Sequence, residues 1–405
     1  MLFHYIDSAA VARNSATVES TKTKRVSAWE NWNSYLISIG IESKFLEGFS
    51  RHHKNVIMSG FAQAVRSGSF SKRNNGHLVE GTVATTIAHV AQTFRTNNQC
   101  DPRLDQDGKT CFILQEQLRG YKNLDGATIK QKALPLSVVR KILDLATTEK
   151  DLALAWLFIG AIFFAMRSCE YLKTNREESS KRTNIVRLRN IIFKKEGITL
   201  EHTSEDIAKA DMVAITFEFQ KNDKRNKTVH MFRTGDNTLC PVIAWATTVK
   251  RLIQTVPGVS KDTTVCSYWD NGAIRQVNST YAISRIRSVV ELIGENELGF
   301  TRNDVGLHSI RSGGAMAMFL SGVSEIIIQR IGRWESFAFL EYIREQVENF
   351  TYGVSKKMLD NEIFHHINEK NLPRLDDSDK NVATCHKGNG VSSGNSFIHH
   401  SYLRK

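Results

Sequence analysis

The stretch LALAWLFIGAIFFAM, from Leu152 to Met166, is apolar on every face if wound as a helix, and Arg167 follows it at once. A helix with no polar side has to be surrounded. The run is shorter than the roughly 20 residues a membrane crossing needs, so it reads as a fully buried helix inside a protein core. No other run comes closer to a span. The opening MLFHYIDSAAVARN has no basic lead and no long apolar segment, so no secretory signal is expected.

A chain of 405 residues exceeds what one core usually fills, so two domains with tails are expected. Upstream, Val26, Trp29, Trp32, Tyr35 and Leu36 recur at helical spacing until Gly40 stops them. Trp29 and Trp32 read as core. NVIMSGFAQAVRSG, LVEGTVATTIAHVAQTFRTN and CFILQEQLRGYKNL continue the helical pattern. Residues 1–20 are expected to be a flexible tail and 21–125 a small helical domain. The polar DGATIKQKALPLS, broken at Pro135, is the expected linker. The second domain, 126–353, opens with SVVRKILDLA and the buried helix. Strands are expected at NIVRLRNIIF, DMVAITFEFQ and KTVHMF, with KNDKRN joining the last two. Helices return at PVIAWATTVKRLIQ, TYAISRIRSVVELIG and HSIRSGGAMAMFLSG. SEIIIQRI follows, with Ser324 as N-cap and Gly332 just past its end. The polar residues 354–405 are expected to be disordered. The fold class is therefore mostly α with a small antiparallel sheet.

Lys and Arg number 54 against 42 Asp and Glu, a net charge of +12. Such an excess favours a polyanion, nucleic acid first and an anionic membrane surface second. Lys22, Lys24 and Arg25 in the first long helix, and Lys224 and Arg225 in the hairpin turn, are the candidate DNA contacts. The six cysteines lack metal-ligand spacing, so neither a zinc site nor a disulfide framework is indicated, and a reduced intracellular setting is expected.

An ordered set of basic and nucleophilic residues runs through the second domain. Arg167 ends the apolar run and Glu170 lies one helical turn on. Lys221 begins the hairpin turn. His308 and Arg311 share a helical face, Arg333-Trp334 follows Gly332, and Tyr342 comes nine residues after Arg333. Phosphoryl transfer from DNA to a phenol uses such a set. Guanidinium forks bind the charged non-bridging oxygens. Histidine exchanges a proton near neutrality, lysine protonates the departing 5′ oxygen, and tyrosine forms a phosphoester that conserves the bond for rejoining. No metal or other cofactor is required. A second His-x-x-Arg, His230 to Arg233, falls in an expected strand where the two side chains face opposite ways, and reads as structural. Lys224 and Lys227 compete with Lys221, and Tyr352 with Tyr342.

The order Arg, Lys, His-x-x-Arg, Gly-[His/Trp], Tyr resembles the tyrosine recombinase (phage integrase-like) family. IGRWESFAFLEYIRE and QKNDKRNKT look most like the recombinases of Crypton-type eukaryotic DNA transposons. The resemblance covers residues 20 to 353 and is strongest over 300–345. It implies a helical core-binding domain and a catalytic domain that clamp double-stranded DNA, working as a homo-tetramer in a synapse. Residues from about 345 onward would reach a neighbouring subunit, and the location would be nuclear. It implies that Arg167, Lys221, His308, Arg311 and Tyr342 are catalytic, with Glu170 as their acidic support. Arg333 stands where the family has His or Trp: either Trp334 supplies the indole N–H, or Arg333 is an additional cation. A recombinase-derived DNA-binding protein without catalysis and a type IB topoisomerase-like enzyme are the alternatives.

Overall fold

The same stretch that constrains the sequence most forms the centre of the larger core. The computed structural model describes residues 2–17, 19–70, 76–126, 131–174, 183–219, 225–337 and 339–340. Lys221, Lys224, Tyr342, Tyr352 and the expected tail at 354–405 lie outside the described residues.

Five helices come first: α1 (Leu2–Ser15), α2 (Glu19–Ser38), α3 (Arg51–Arg66), α4 (Glu80–Thr96) and α5 (Phe112–Leu124). The expected tail is thus helical over most of its length, with Ala9, Ala10 and Ala12 as good helix formers. Its described side chains are mostly exposed, which is why the apolar pattern gave no sign of it. Helices α2 to α5 enclose an aromatic core. Trp32 is fully buried, donates its indole N–H to the Lys44 carbonyl at 2.9 Å, and meets Phe61 edge-on at 5.1 Å. Trp29 packs at the margin of this core against Phe45.

A second core begins at Leu134 and shares no residue with the first. Both lie in one compact unit of the chain that ends at Gln346. Here α6 (Leu136–Asp144) leads to α7 (Glu149–Phe163), which starts with a capping box of Thr148 and Asp151. Helix α7 is buried almost throughout. A four-stranded antiparallel sheet follows, built from β1 (Ile191–Lys195), β2 (Ile198–Leu200), β3 (Met212–Phe219) and β4 (Arg225–Phe232) in the order β2-β1-β3-β4. NIVRLRNIIF is a strand only from Ile191, because Leu188–Asn190 form a 3-10 turn closed by the Asn190 side chain on the Arg187 N–H. Next come α8 (Pro241–Thr255), the hairpin β5 (Ser267–Asp270) and β6 (Ala273–Gln276), then α9 (Ser279–Ile293), α10 (Glu295–Leu298), α11 (His308–Leu320) and α12 (Glu325–Gly332). The β5–β6 hairpin has no counterpart in the sequence reading. Among the described residues no helix is long and apolar enough to cross a membrane.

Glycines set the distances between the helices. On Gly160 of α7, a β-carbon would lie 2.7 Å from the Trp245 ring of α8. Helix α11 comes closer still. A β-carbon on Gly313 would stand 2.3 Å from the Leu134 carbonyl oxygen, and one on Gly314 would stand 2.1 Å from that of Ile162. Real β-carbons do not approach backbone so closely, and backbone cannot yield as a side-chain tip can. This contact carries the first turn of α11 to the end of α7. Gly314→Ala is expected to destabilise the protein by about 1–3 kcal/mol or more, read as a lower denaturant midpoint in equilibrium unfolding.

Candidate active site

Helix α7 stops at Phe163, four residues before Arg167, so Arg167 and Glu170 are not successive turns of one helix. Ala165 takes a left-handed backbone, with φ of 42°, and turns the chain back. Arg167 then heads a 3-10 turn that ends at Glu170. The Glu170 carboxylate is wholly buried. It accepts the Arg167 backbone N–H at 2.8 Å and the Arg167 Nη1 at 3.3 Å. The turn therefore brings together what the helical spacing was expected to.

Arg311, in the first turn of α11, is 2% exposed. Its Nη1 donates to the Ala165 carbonyl and its Nη2 to the Gly332 carbonyl at 2.6 Å. One guanidinium thus satisfies carbonyls at the ends of two helices, which would otherwise lack partners. The same guanidinium lies 4.1 Å from the Trp334 ring centre, a cation–π contact. Trp334 covers the α-carbon of Gly332, where a β-carbon would fall 1.5 Å from its ring, and packs on Phe339 at 5.0 Å.

Arg333 caps α12 with a left-handed backbone, φ 59° and ψ 42°. The helix therefore runs through Gly332, and the left-handed residue is an arginine rather than the glycine expected there. Only 5% of Arg333 is exposed. Its Nη2 donates to Glu170 at 2.6 Å, its Nη1 to the Phe164 and Ile331 carbonyls at 3.4 and 3.3 Å, and its Cζ stands 3.5 Å over the Phe217 ring. As a further cation for a ligand it is badly placed: a buried carboxylate already holds it. Trp334, the other residue expected at this position, is half-buried.

His308, the first residue of α11, is exposed at the residue level. Crowding of its ring, with the charges of Arg311 and Arg167, holds it below the ordinary imidazole value. It is neutral at neutral pH, the form that accepts a proton. Burial draws Arg311 down to about 9, with Arg167 pulling the same way and Glu170 opposing, so it stays charged. Burial also lowers Arg333, again against Glu170. The site thus gathers three guanidiniums and an imidazole around one carboxylate.

The remaining expected residues are elsewhere. Lys22 pairs with Glu19 at 3.3 Å, Lys24 is exposed, and the Arg25 Nη1 reaches Thr17 at 3.4 Å. Lys22 and Arg25 line a cleft with Gln92 and Arg95, and Arg95 is a basic residue the sequence reading passed over in the last turn of α4. Burial, then Arg25 and Lys24, hold His89 below its ordinary value. Arg225 is exposed and stacks on Phe219 at 5.4 Å, its partner across the hairpin. Lys221, Lys224 and Tyr342 lie outside the described residues. In the second His-x-x-Arg, His230 is exposed on β4, and Arg233 donates to the Ala210 and Ala208 carbonyls, tying down the 3-10 turn there. No group of three or more His, Cys, Asp or Glu placed to hold a metal occurs among the described residues.

No family model and no curated protein matches the chain. Several solved structures are similar to it. A Tn1549 transposon integrase in complex with circular intermediate DNA has a TM-score of 0.48 at 11% identity, over 87% of this chain and 97% of that one. A XerH site-specific recombinase bound to difH substrate gives 0.43 at 15%, over 78% and 72%. A lambda integrase dimer bound to a COC′ core site gives 0.44 at 9%, over 85% and 96%.

Glu170→Gln leaves Arg333 buried without a counter-charge. It is expected to cost about 3–5 kcal/mol, whereas Arg302→Ala, at the exposed Arg302–Glu291 pair, should cost about 1 kcal/mol or less. Urea unfolding of the two variants checks the contrast.

Proposed function

We propose that this chain is a DNA strand-breaking and rejoining enzyme of the tyrosine recombinase kind, acting on double-stranded DNA without a metal or other cofactor. One observation carries the reading: Arg167 and the His308–Arg311 pair, far apart in sequence, meet beside Glu170 with more positive than negative charge. A largely buried excess of guanidinium charge calls for an anion, and two forked guanidiniums beside a neutral imidazole suit a phosphodiester.

In the proposed reaction the Tyr342 phenolic oxygen attacks the scissile phosphorus and its proton passes to neutral His308. Arg167 and Arg311 hold the non-bridging oxygens as charge gathers there. The bond to the 5′ oxygen breaks and Lys221 protonates that oxygen, leaving a 3′-phosphotyrosine and a free 5′ hydroxyl. A 5′ hydroxyl of another strand then reverses these steps, which rejoins DNA in a new connection. Exchange between two duplexes requires paired sites, so a homo-tetramer on DNA belongs to this proposal. So does the division of labour, with residues 21–125 gripping DNA through Lys22, Lys24 and Arg25 and residues 126–353 performing the chemistry. The narrower kinship to Crypton-type transposon recombinases, and the nuclear location it implies, rest on the residues around Tyr342 and the hairpin turn.

The test is a denaturing-gel assay for covalent adduct on nicked duplex oligonucleotides of mixed sequence. Wild type is expected to form an adduct that maps to Tyr342. Tyr342→Phe should lower it by roughly 10³-fold or more while salt-dependent binding persists. Binding without adduct in the wild type would instead favour a silent, DNA-binding descendant. Religation to the same strand only would favour a topoisomerase-like role. The pH dependence has a definite sign. His308 must be neutral to accept the proton, and its pKa is lowered from 6.5. The cleavage rate should therefore be level at neutral pH and fall on acidification with a midpoint below 6.5, a limb that His308→Gln removes.

A further inference from the structure

Arg333 occupies the place where the resembled family sets a group against the phosphate, yet every contact it makes is to the protein interior. It pairs with Glu170 at 2.6 Å, donates to the Phe164 and Ile331 carbonyls and lies over Phe217. We propose that Arg333 is a positioning residue and not a phosphate ligand: with Glu170 it forms a latch that fastens the segment after α12, which leads to Tyr342, onto the turn carrying Arg167. The roles of Arg167 and Tyr342 rest on the function proposed above, whereas the latch does not.

Three features carry the inference. The left-handed backbone at Arg333 is costly for a side chain with a β-carbon and persists only where its surroundings hold it. Here the side chain's own buried contacts supply that hold. Second, the carboxylate is shared. The Glu170 oxygen that accepts Arg333 also accepts the Arg167 backbone N–H, so releasing Arg333 loosens the phosphate-binding turn as well. Third, the latch leaves the neighbouring Trp334 on the half-buried side, stacked between Arg311 and Phe339.

The experiment is hydrogen exchange on the full chain without DNA, comparing wild type with Arg333→Met, Glu170→Gln, the double variant and Arg333→Lys. Arg333→Met should raise exchange roughly tenfold or more in peptides covering residues 164–171 and 331–340 and leave α2 to α4 unchanged. Glu170→Gln should do the same, the double variant no more than either, and Arg333→Lys should restore part of the protection. If Arg333→Met fails to fold, Glu170→Gln and Arg333→Lys carry the comparison. Unchanged exchange would overturn the latch, because a phosphate ligand has no reason to order the free protein. Additive effects, or loosening spread through both cores, would overturn it too.

A second arm uses nicked duplex with a methylphosphonate at the scissile position, where one phosphate charge is absent. It should restore adduct formation to Arg311→Ala and not to Arg333→Met. Rescue of Arg333→Met would put that side chain on the phosphate and refute the proposal. A wild type that forms no adduct on any duplex would count against the proposed function and leave the exchange result standing.

Discussion

The Glu170 carboxylate is the point on which the site turns. It holds Arg167 by both backbone and side chain while accepting Arg333 from 163 residues away. A buried carboxylate is stable only with partners of this kind, and a buried guanidinium likewise. Each justifies the other's burial, and the Arg167 turn, the end of α7 and the cap of α12 are drawn into one place as a result.

Backbone carbonyls do the rest of the joining. Arg311 links the Ala165 and Gly332 carbonyls, and Arg333 adds those of Phe164 and Ile331. Helix ends leave such oxygens without internal partners, and here cationic side chains meet them, which also suits the negative end of a helix dipole. Two non-glycine residues at the site, Ala165 and Arg333, have left-handed backbones. Strain of this sort collects where a structure is over-determined, as at functional sites.

Much of this was legible in the sequence, unevenly. The apolar run at 152–166 announced α7, and the alternation in DMVAITFEFQ announced β3, because burial on one or both faces leaves a periodic trace. The order of Arg167, His308 and Arg311 pointed to a shared site. Asn271-Gly272 is a hairpin signal that lay in plain view between β5 and β6, and both residues have the positive φ such a turn needs. By contrast, α1 has little apolar periodicity to read. The pairing of Arg333 with Glu170 is non-local and leaves no mark in spacing, and the turn at Ala165 depends on a backbone angle that alanine does not advertise. A cation at 333 could be read from the sequence, but not the direction in which it faces.

The glycines of α11 have a mechanical consequence. At Gly313 and Gly314 the helix bears directly on the backbone around Leu134 and Ile162, with no rotamer in between to act as a cushion. The half of the site built from α7 and α11 is accordingly stiff. The end of α12 is attached instead through the side chains of Arg311, Arg333 and Trp334. The spacing between the Arg167 turn and Arg311 is thus set backbone on backbone, whereas Arg333 and Trp334 reach that pair by side-chain contacts.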